Sequence, residues 1–218
     1  MPSPMIRTVL FDLDGTLADT APDLSYAVNS MRKARGLAAL PLSATRPVAS
    51  LGARGLLNTG FGIDPGDPDY RAMREEFLKL YERNICRETK LFPGTADLLD
   101  AIEARGLRWG IVTNKAEHLA RLLLDKLGVT PRASCIIGGD STPDLKPHPG
   151  PLLAACSALG EDPRACIYVG DDRRDVEAAH AAGMKAAIAD WGYLNGGEPG
   201  SWGADWLLEK PEDLLRLL

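Results

Sequence analysis

The chain has 218 residues, of which 45% are hydrophobic and 25% charged, and its formal net charge is −5. These values are typical of a globular protein and exclude a disordered or fibrous chain, and the length suits one domain with a large core or one that carries a smaller second unit. The negative charge argues against a nucleic-acid binder, because such proteins usually present a basic face.

The first element predicted along the chain is a buried strand at residues 7–11, a short apolar run that ends in Asp-Leu-Asp-Gly-Thr. Later apolar runs predict five more strands, and helical patterns lie between them. This alternation predicts parallel βαβ units in an α/β sheet with helices on both faces. The later predicted strands are 107–112, 134–137, 165–169, 185–189 and 205–208, and the helices between them are 95–104, 117–127, 149–159 and 172–182.

Residues 18–91 break this alternation, and we predict no strand there. Two helices are predicted at 21–35 and 69–85, with shorter helical pieces between them. The second carries an apolar and aromatic stripe at helical spacing, which we interpret as a packing face. We therefore predict an α/β core at residues 1–17 and 92–218 and an inserted helical cap at 18–91. The Gly-rich segment 193–203 is predicted to be a surface loop. The stripe comprises Tyr70, Met73, Phe77, Leu80 and Tyr81.

Targeting and redox signals are weak in this sequence. The N-terminal segment lacks the apolar stretch and cleavage site of a signal peptide, and no window of about 18 uninterrupted apolar residues predicts a membrane span. The four cysteines form no CxxC pair and predict reduced thiols, with no zinc site. We therefore expect a cytoplasmic protein with no membrane or nucleic-acid partner.

Four polar clusters follow four different predicted strands. In an open parallel sheet, ligands bind at the carboxyl ends of the strands, so we expect all four clusters to meet at one edge. Each cluster alone is also typical of a turn, a helix cap or a solvated surface, and their convergence is what favours a functional site. The clusters are Asp12 with Asp14, Thr113 with Asn114, Lys146 with Pro147, and the segment 170–175 with Asp171, Asp172 and Asp175.

The residue types in these clusters favour phosphoryl transfer. Carboxylates brought together repel one another, and a hard divalent cation such as Mg²⁺ relieves that repulsion. A lysine, a hydroxyl and turn amides complete a pocket for an anion. Asp12 and Asp14, two positions apart in an extended segment, point the same way. One can attack phosphorus while the other transfers a proton to the leaving group and from water.

The four motifs together resemble those of the haloacid dehalogenase-like hydrolases. They are F-D-L-D-G-T-L at 11–17, T-N at 113–114, K-P at 146–147 and G-D-D-R-R-D at 170–175. The resemblance implies a Rossmann-like, HAD-like parallel sheet, and the inserted helices resemble the cap of the phosphoglycolate phosphatase-like branch. It implies that Asp12 is the nucleophile and a Mg²⁺ ligand. It also implies that Asp14 is the general acid and base and binds the metal through its backbone carbonyl.

The same resemblance implies roles for the other motif residues. Thr113 and the Asn114 amide would hold phosphate oxygens, and Lys146 would neutralise the nucleophile and the phosphoryl group. Asp171 would be the third protein ligand of Mg²⁺. Either Asp172 or Asp175 would orient a metal-bound water or Lys146, and the sequence leaves that choice open.

The motifs favour a phosphatase that acts on a small phosphate monoester over other functions in this superfamily. The dehalogenases are metal-free and lack the second aspartate, so the presence of Asp14 favours a phosphatase. A mutase similar to the phosphoglucomutases keeps both aspartates and stays an alternative. A non-catalytic protein that binds phosphorylated metabolites would be expected to have lost Asp12, Asp14 or Lys146. The sequence leaves a monomer or a dimer open.

The segment R-P-V-A-S-L-G-A-R at 46–54 is the part of the cap that we expect to contact the substrate and determine specificity. Arg46 or Arg54 could form a bidentate pair with a carboxylate, although both also suit a solvated helix face. Small residues around Ser50 would let backbone amides approach a ligand. With G-F-G-I-D-P at 60–65, the segment resembles a bacterial subgroup that includes phosphatases of N-acetylmuramic acid 6-phosphate and proteins named phosphoglycolate phosphatase. Both substrates carry a phosphate and a carboxylate.

Overall fold

The computed structural model describes residues 5–218 and contains one parallel sheet of six strands. The strand order across the sheet is β5-β4-β1-β6-β7-β8. The predicted parallel α/β sheet is thereby confirmed. The strands are β1 (Thr8–Phe11), β2 (Ala18–Asp19), β3 (Lys90–Leu91), β4 (Arg108–Val112), β5 (Ile136–Ile137), β6 (Cys166–Gly170), β7 (Lys185–Ala189) and β8 (Trp206–Leu208), of which β2 and β3 lie outside the large sheet.

Within residues 5–218, eight α-helices connect or flank these strands, and the predicted helices are found with shifts of at most two residues at their ends. None of the helices in residues 5–218 is long and apolar enough to cross a membrane. The helices are α1 (Ala21–Ala34), α2 (Leu42–Thr45), α3 (Gly52–Phe61), α4 (Tyr70–Arg83), α5 (Thr95–Ala104), α6 (Glu117–Lys126), α7 (Gly150–Leu159) and α8 (Arg173–Ala181).

The central strands are buried on both faces because helices cover each side of the sheet. Successive side chains of a strand point to opposite faces. Val9 and Phe11 of β1 therefore pack in one core with α5 and α6, whereas Leu10 packs in another with α7 and α8. This double burial explains why the strands appear in the sequence as continuous apolar runs.

The prediction that residues 18–91 contain no strand is wrong at both ends of that segment. Strands β2 and β3 pair antiparallel, with Ala18 opposite Leu91 and Asp19 opposite Lys90. A two-residue strand is too short to show an alternating pattern, which explains why the sequence did not reveal it. We propose that this ribbon is the junction between the core and the cap.

The helices between β2 and β3 bury apolar side chains in the same cluster as Val9 and Phe11 of β1. Leu24 and Val28 of α1, Leu56 of α3 and Phe77 of α4 are all buried there. Asp23 of α1 is also buried and ties this unit to the chain that returns to β3. Its carboxylate accepts hydrogen bonds from the backbone amides of residues 87–89 and from the Thr89 hydroxyl, which lies 2.6 Å away.

Two smaller differences concern edges and loops. Strand β5 begins two residues later than the predicted run 134–137, although the Ser134 amide still donates to Trp109 C=O at 2.8 Å. The predicted loop 193–203 contains two short 3₁₀ turns, Leu194–Gly196 and Pro199–Ser201. Neither turn is long enough to leave a periodic pattern in the sequence.

Candidate active site

A cavity of about 460 Å³ opens at the carboxyl edge of the sheet, between the core and the helices of residues 18–91. All four predicted motif clusters contribute side chains to its wall, so the convergence predicted from the sequence is found in the structure. The motif residues that line it are Asp12, Asp14, Thr113, Asn114, Lys146, Pro147, Arg174 and Asp175.

Asp12 lies directly after the central strand β1 and is 7% exposed. Its backbone amide continues the sheet by donating to Val169 C=O at 2.8 Å. One carboxylate oxygen, Oδ1, accepts from the Leu13 amide at 2.8 Å and lies 3.1 Å from Lys146 Nζ. The other oxygen has no hydrogen-bond partner within residues 5–218. Burial raises the pKa of Asp12 to about 6, even though the charge of Lys146 acts to lower it.

The ammonium group of Lys146 is buried at the centre of the site. It lies 2.8 Å from Asp175 Oδ1 and 3.1 Å from Asp12 Oδ1, and it donates to the Tyr168 hydroxyl at 2.6 Å and to Val112 C=O at 3.2 Å. Burial acts to lower the pKa of Lys146, but the two carboxylates outweigh it and hold the pKa above its ordinary value. The group therefore stays positively charged.

Asp172 and Asp175, between which the sequence could not choose, have different partners in the structure. Asp175 bonds Lys146 through Oδ1, and its Oδ2 accepts from the amides of Asp171 at 3.1 Å and Asp172 at 3.0 Å. Asp172 instead caps α8 and pairs with the guanidinium of Arg174 at 2.8 and 3.0 Å. Asp175 is thus the one that contacts Lys146.

An acidic cluster suited to a hard cation lies beside Asp12. Carboxylate oxygens of Asp12, Asp171 and Asp175 lie within 4.8 Å of one another, and all three residues are buried. Burial raises the pKa of Asp171 well above its ordinary value, and the charges of Asp12 and Asp175 raise it further. Such a set of oxygen donors, which destabilise one another when ionised, fits a divalent cation such as Mg²⁺.

The segment after β7 contributes a residue that the sequence analysis did not identify. The Tyr193 amide donates to Asp171 Oδ2 at 2.8 Å, and the Ser50 hydroxyl donates to the same oxygen at 3.0 Å. Gly15 allows the Asp171 carboxylate to approach the backbone closely, because a Cβ at this position would lie 2.2 Å from Asp171 Oδ2. The start of the predicted surface loop therefore belongs to the site.

Asp14 has its own set of donors on the cavity wall. Its Oδ1 accepts from the Thr20 hydroxyl at 2.6 Å, and Lys115 Nζ lies 2.9 and 3.0 Å from its two oxygens. Lys115 was also missed in the sequence, although it directly follows the T-N motif at the end of β4. The position was the only signal, because a single lysine after a strand is usually solvated.

Thr113 and Asn114 occupy the end of β4, as expected. The Asn114 side chain is engaged on both sides with the backbone of Lys146, donating to its C=O at 3.0 Å and accepting from its N–H at 2.9 Å. It thereby holds the K-P loop in place. The Thr113 hydroxyl accepts from the Lys115 amide at 3.3 Å and lines the cavity.

The opposite wall of the cavity comes from residues 18–91. The stripe on α4 packs inward through Phe77 and Tyr81, and both also face the cavity, so the interpretation as a packing face covers only part of its role. Arg54 and Arg74 line the cavity, are exposed, and form no ion pair within residues 5–218. Arg74 was not considered in the sequence analysis. The wall also includes Ser50, Gly52, Tyr70 and Leu78.

The two arginines considered for substrate binding have different surroundings. Arg46 pairs with both oxygens of Asp19 at 2.9 Å and lies 5.7 Å from the ring centre of Tyr193. Its guanidinium is thus engaged at the β2–β3 ribbon and does not line the cavity. Arg54 does line it. Nearby, Arg174 of the core donates to the carbonyl of Ser50 at 3.1 Å, which links the two walls.

Known proteins resemble this chain in sequence and in fold. Residues 9–189 match the sequence pattern of the family described as "Haloacid dehalogenase-like hydrolase". A "Phosphoglycolate phosphatase" of Xanthomonas campestris is 47% identical over 210 residues, covering 95% of this chain and 94% of that protein. An "N-acetylmuramic acid 6-phosphate phosphatase" of Pseudomonas putida is 41% identical over 214 residues, covering 98% and 96%.

A solved structure from Haemophilus somnus 129pt, described as a predicted phosphoglycolate phosphatase, has the same fold. It superposes with a TM-score of 0.87 at 28% sequence identity and covers 97% of both chains. The family pattern spans residues 9–189, and the two relatives named above align with nearly the whole chain. The chain therefore belongs to the haloacid dehalogenase-like hydrolases.

Proposed function

We propose that this hydrolase is a Mg²⁺-dependent phosphatase that cleaves a phosphate monoester of a small carboxylated metabolite. The observation that carries the proposal is the arrangement of the two motif aspartates. Asp12 and Asp14 line one cavity, and each is paired with a lysine of its own, Lys146 and Lys115. Two carboxylates with separate partners can take separate roles, one as nucleophile and one in proton transfer.

The metal would be held by carboxylate oxygens of Asp12 and Asp171, with the backbone carbonyl of Asp14 as the third protein ligand. When bound, Mg²⁺ would neutralise charge on the phosphoryl oxygens and on the nucleophile. Asp175 would support this set without joining it, because both of its oxygens already accept hydrogen bonds. Asp172 would serve as the cap of α8 and the partner of Arg174.

The first chemical step uses the oxygen of Asp12 that has no protein partner. It attacks phosphorus, the bond from phosphorus to the leaving oxygen breaks, and Asp14 gives its proton to that oxygen. In the second step Asp14 takes a proton from water, and that water attacks the phosphorus of the aspartyl phosphate. Inorganic phosphate leaves and Asp12 is regenerated.

Positive charge and fixed donors around the phosphoryl group would stabilise the transition state. Lys146 supplies the charge, and its geometry is fixed by Asp175 and the Tyr168 hydroxyl. The Thr113 hydroxyl would bind a phosphate oxygen. Because the Asn114 side chain is engaged with the K-P loop, its backbone N–H is the donor that we expect at the phosphate.

The substrate would be recognised by the wall opposite the motifs. Arg54 is exposed toward the cavity and would pair with a substrate carboxylate. The relatives act, by their names, on phosphoglycolate and on N-acetylmuramic acid 6-phosphate. A cavity of about 460 Å³ lies in the range of sites for ligands larger than a two-carbon acid, which favours the amino-sugar phosphate. The phosphatase names of the relatives favour water over a sugar as the phosphoryl acceptor.

The test is phosphate release from a panel of phosphorylated metabolites, with Mg²⁺ and with a chelator in its place. The panel contains phosphoglycolate, N-acetylmuramic acid 6-phosphate and several sugar phosphates. We expect Mg²⁺-dependent release, with the amino-sugar phosphate giving the highest kcat/KM. Release from phosphoglycolate alone would make phosphoglycolate the substrate. Conversion of a sugar phosphate to an isomer without phosphate release would indicate a mutase.

A further inference from the structure

Lys115 is the buried cation of the site whose role the motif pattern leaves unexplained. Its side chain is 8% exposed and that of Asp14 is 13% exposed. Lys115 Nζ lies 2.9 Å from one Asp14 oxygen and 3.0 Å from the other, so the ammonium contacts both. The Thr20 hydroxyl adds a bond of 2.6 Å to Oδ1. The Asp14 carboxylate is thus fixed by donors from two separate segments.

The backbone of Lys115 is also held by hydrogen bonds at both its N–H and its C=O. Its amide donates to the Thr113 hydroxyl at 3.3 Å, and its carbonyl accepts from the Gly139 amide at 2.7 Å. The side chain therefore starts from a rigid point on the carboxyl edge of the sheet. A lysine anchored in this way loses less conformational freedom when it pairs with Asp14.

The ammonium group also lies over an aromatic ring from the opposite wall. Lys115 Nζ is 4.6 Å from the ring centre of Tyr81 on α4, within the range of a cation–π interaction. Tyr81 is 1% exposed, and its hydroxyl has no hydrogen-bond partner within residues 5–218. The Tyr81 ring is thus a contact that α4 makes with Lys115.

We propose that Lys115 is a positioning residue that aims the Asp14 carboxylate at the leaving oxygen, and that the Tyr81 ring holds Lys115 in place. The inference rests on the proposed phosphatase function, because it assigns Lys115 to the proton transfer made by Asp14. The ammonium contact restricts the Asp14 carboxyl group to one orientation. When one oxygen carries the proton for the leaving group, the other still accepts from Lys115 and keeps that orientation, which proton transfer requires. The contact with Lys115 also makes the position of Asp14 depend on a residue of α4.

The test compares two phosphate monoesters whose leaving groups differ in their need for a proton. The alkyl ester that wild type prefers needs protonation of its leaving oxygen, whereas p-nitrophenyl phosphate releases a stabilised phenolate. We expect Lys115→Met to lower kcat/KM for the alkyl ester about 100-fold. The loss for p-nitrophenyl phosphate should be at least about tenfold smaller, because positioning of the acid matters less there.

The matched control is Lys79→Met, the same change at an exposed lysine on α4, which should match wild type on both esters. Lys115→Arg should restore part of the lost activity on the alkyl ester, because a guanidinium can also bind both carboxylate oxygens. Equal losses on both esters would assign Lys115 a structural role and overturn the proposal. A rise in KM with unchanged kcat would assign it to substrate binding and also overturn it.

The role of Tyr81 is tested with a pair of variants. Tyr81→Phe keeps the ring under Lys115, whereas Tyr81→Leu removes it. We expect the leucine variant to show the larger loss on the alkyl ester and the same dependence on the leaving group. Equal effects of the two variants would remove the ring from the proposal. If wild type hydrolyses neither ester with Mg²⁺, the proposed function itself fails, which is a separate outcome.

Discussion

The two walls of the cavity differ in how their charged groups are satisfied. On the core wall, Asp12, Asp14 and Lys146 are buried or nearly so, and each is bonded to other protein groups. On the opposite wall, Arg54 and Arg74 are exposed and form no ion pair in the part of the chain that the structure describes. The two walls meet through the bond from Arg174 to the Ser50 carbonyl.

This difference indicates that the core wall serves catalysis and that the opposite wall serves substrate recognition. Groups that must act on the phosphoryl group in the same way for every substrate are held rigidly by one another, which costs no reorganisation during reaction. Groups that select the rest of the substrate are left with unused hydrogen-bonding capacity, so a ligand can satisfy them. We expect changes on the core wall to abolish turnover and changes on the opposite wall to alter KM.

The largest effect is expected for Asp12→Asn. The substitution preserves size but removes the nucleophile, so kcat should fall by at least about 10³-fold. Single-turnover assays with the preferred substrate would measure this, with Asp69→Asn at an exposed site as the control. Turnover near the wild-type value would show that another group attacks phosphorus.

A change inside residues 18–91, where α1 meets the chain that returns to β3, should affect stability. Asp23 accepts hydrogen bonds from three backbone amides and the Thr89 hydroxyl, so Asp23→Ala leaves buried donors unsatisfied. We expect the free energy of unfolding to fall by about 3 kcal/mol. Urea unfolding followed by circular dichroism would measure it. Asp23→Asn retains an acceptor and should cost less, and equal costs would contradict this account of the carboxylate.

Asp171 should link metal binding to stability. At a Mg²⁺ concentration about 100 times the dissociation constant, binding to the folded state should stabilise wild type by about 2.7 kcal/mol. Asp171→Asn should abolish most of this gain. Without metal, the same variant should be more stable than wild type by roughly 1 kcal/mol, because it removes a buried carboxylate from two others.

Thermal unfolding of both proteins, with and without Mg²⁺, measures these two effects separately. Exposed Asp69→Asn again provides the control, because it should respond to Mg²⁺ as wild type does. If Asp171→Asn were equally stabilised by Mg²⁺, the metal would bind elsewhere. The core wall would then lose its assignment as the metal-binding side of the cavity.

The smallest effect is expected for a change on the opposite wall of the cavity. Arg54→Ala should raise KM for a carboxylated substrate about tenfold, equivalent to about 1.4 kcal/mol, with little change in kcat. Steady-state kinetics with a carboxylated substrate and an analogue that lacks the carboxylate would measure it. The analogue should be affected much less. Equal effects on both would show that Arg54 does not bind the carboxylate.

Sequence reasoning predicted the sheet and the motif residues because both leave local patterns. Each buried strand is a continuous apolar run, and motif residues follow directly at the ends of β1 and β4, at Phe11–Asp12 and Val112–Thr113. The β2–β3 ribbon was missed, because two paired residues at each end leave no periodicity. Its existence depends on contacts between segments far apart in the chain.

The residues missed at the site share a different cause. Lys115 and Tyr193 act through partners that are 101 and 22 residues away in sequence, Asp14 and Asp171. Nothing around either residue signals such a partner. The same limit explains Arg46, which the sequence could not distinguish from Arg54 because its pairing with Asp19 appears only in the fold.

The β2–β3 ribbon has a consequence for how this protein could change over evolution. Its first and last residues, Ala18 and Leu91, are paired, so the 18–91 insertion leaves and re-enters the core at adjacent points. A longer, shorter or unrelated insertion could be exchanged there without shifting the register of the six-stranded sheet. Asp19 and Arg46 both lie within 18–91, so their ion pair would be exchanged as one unit with the insertion.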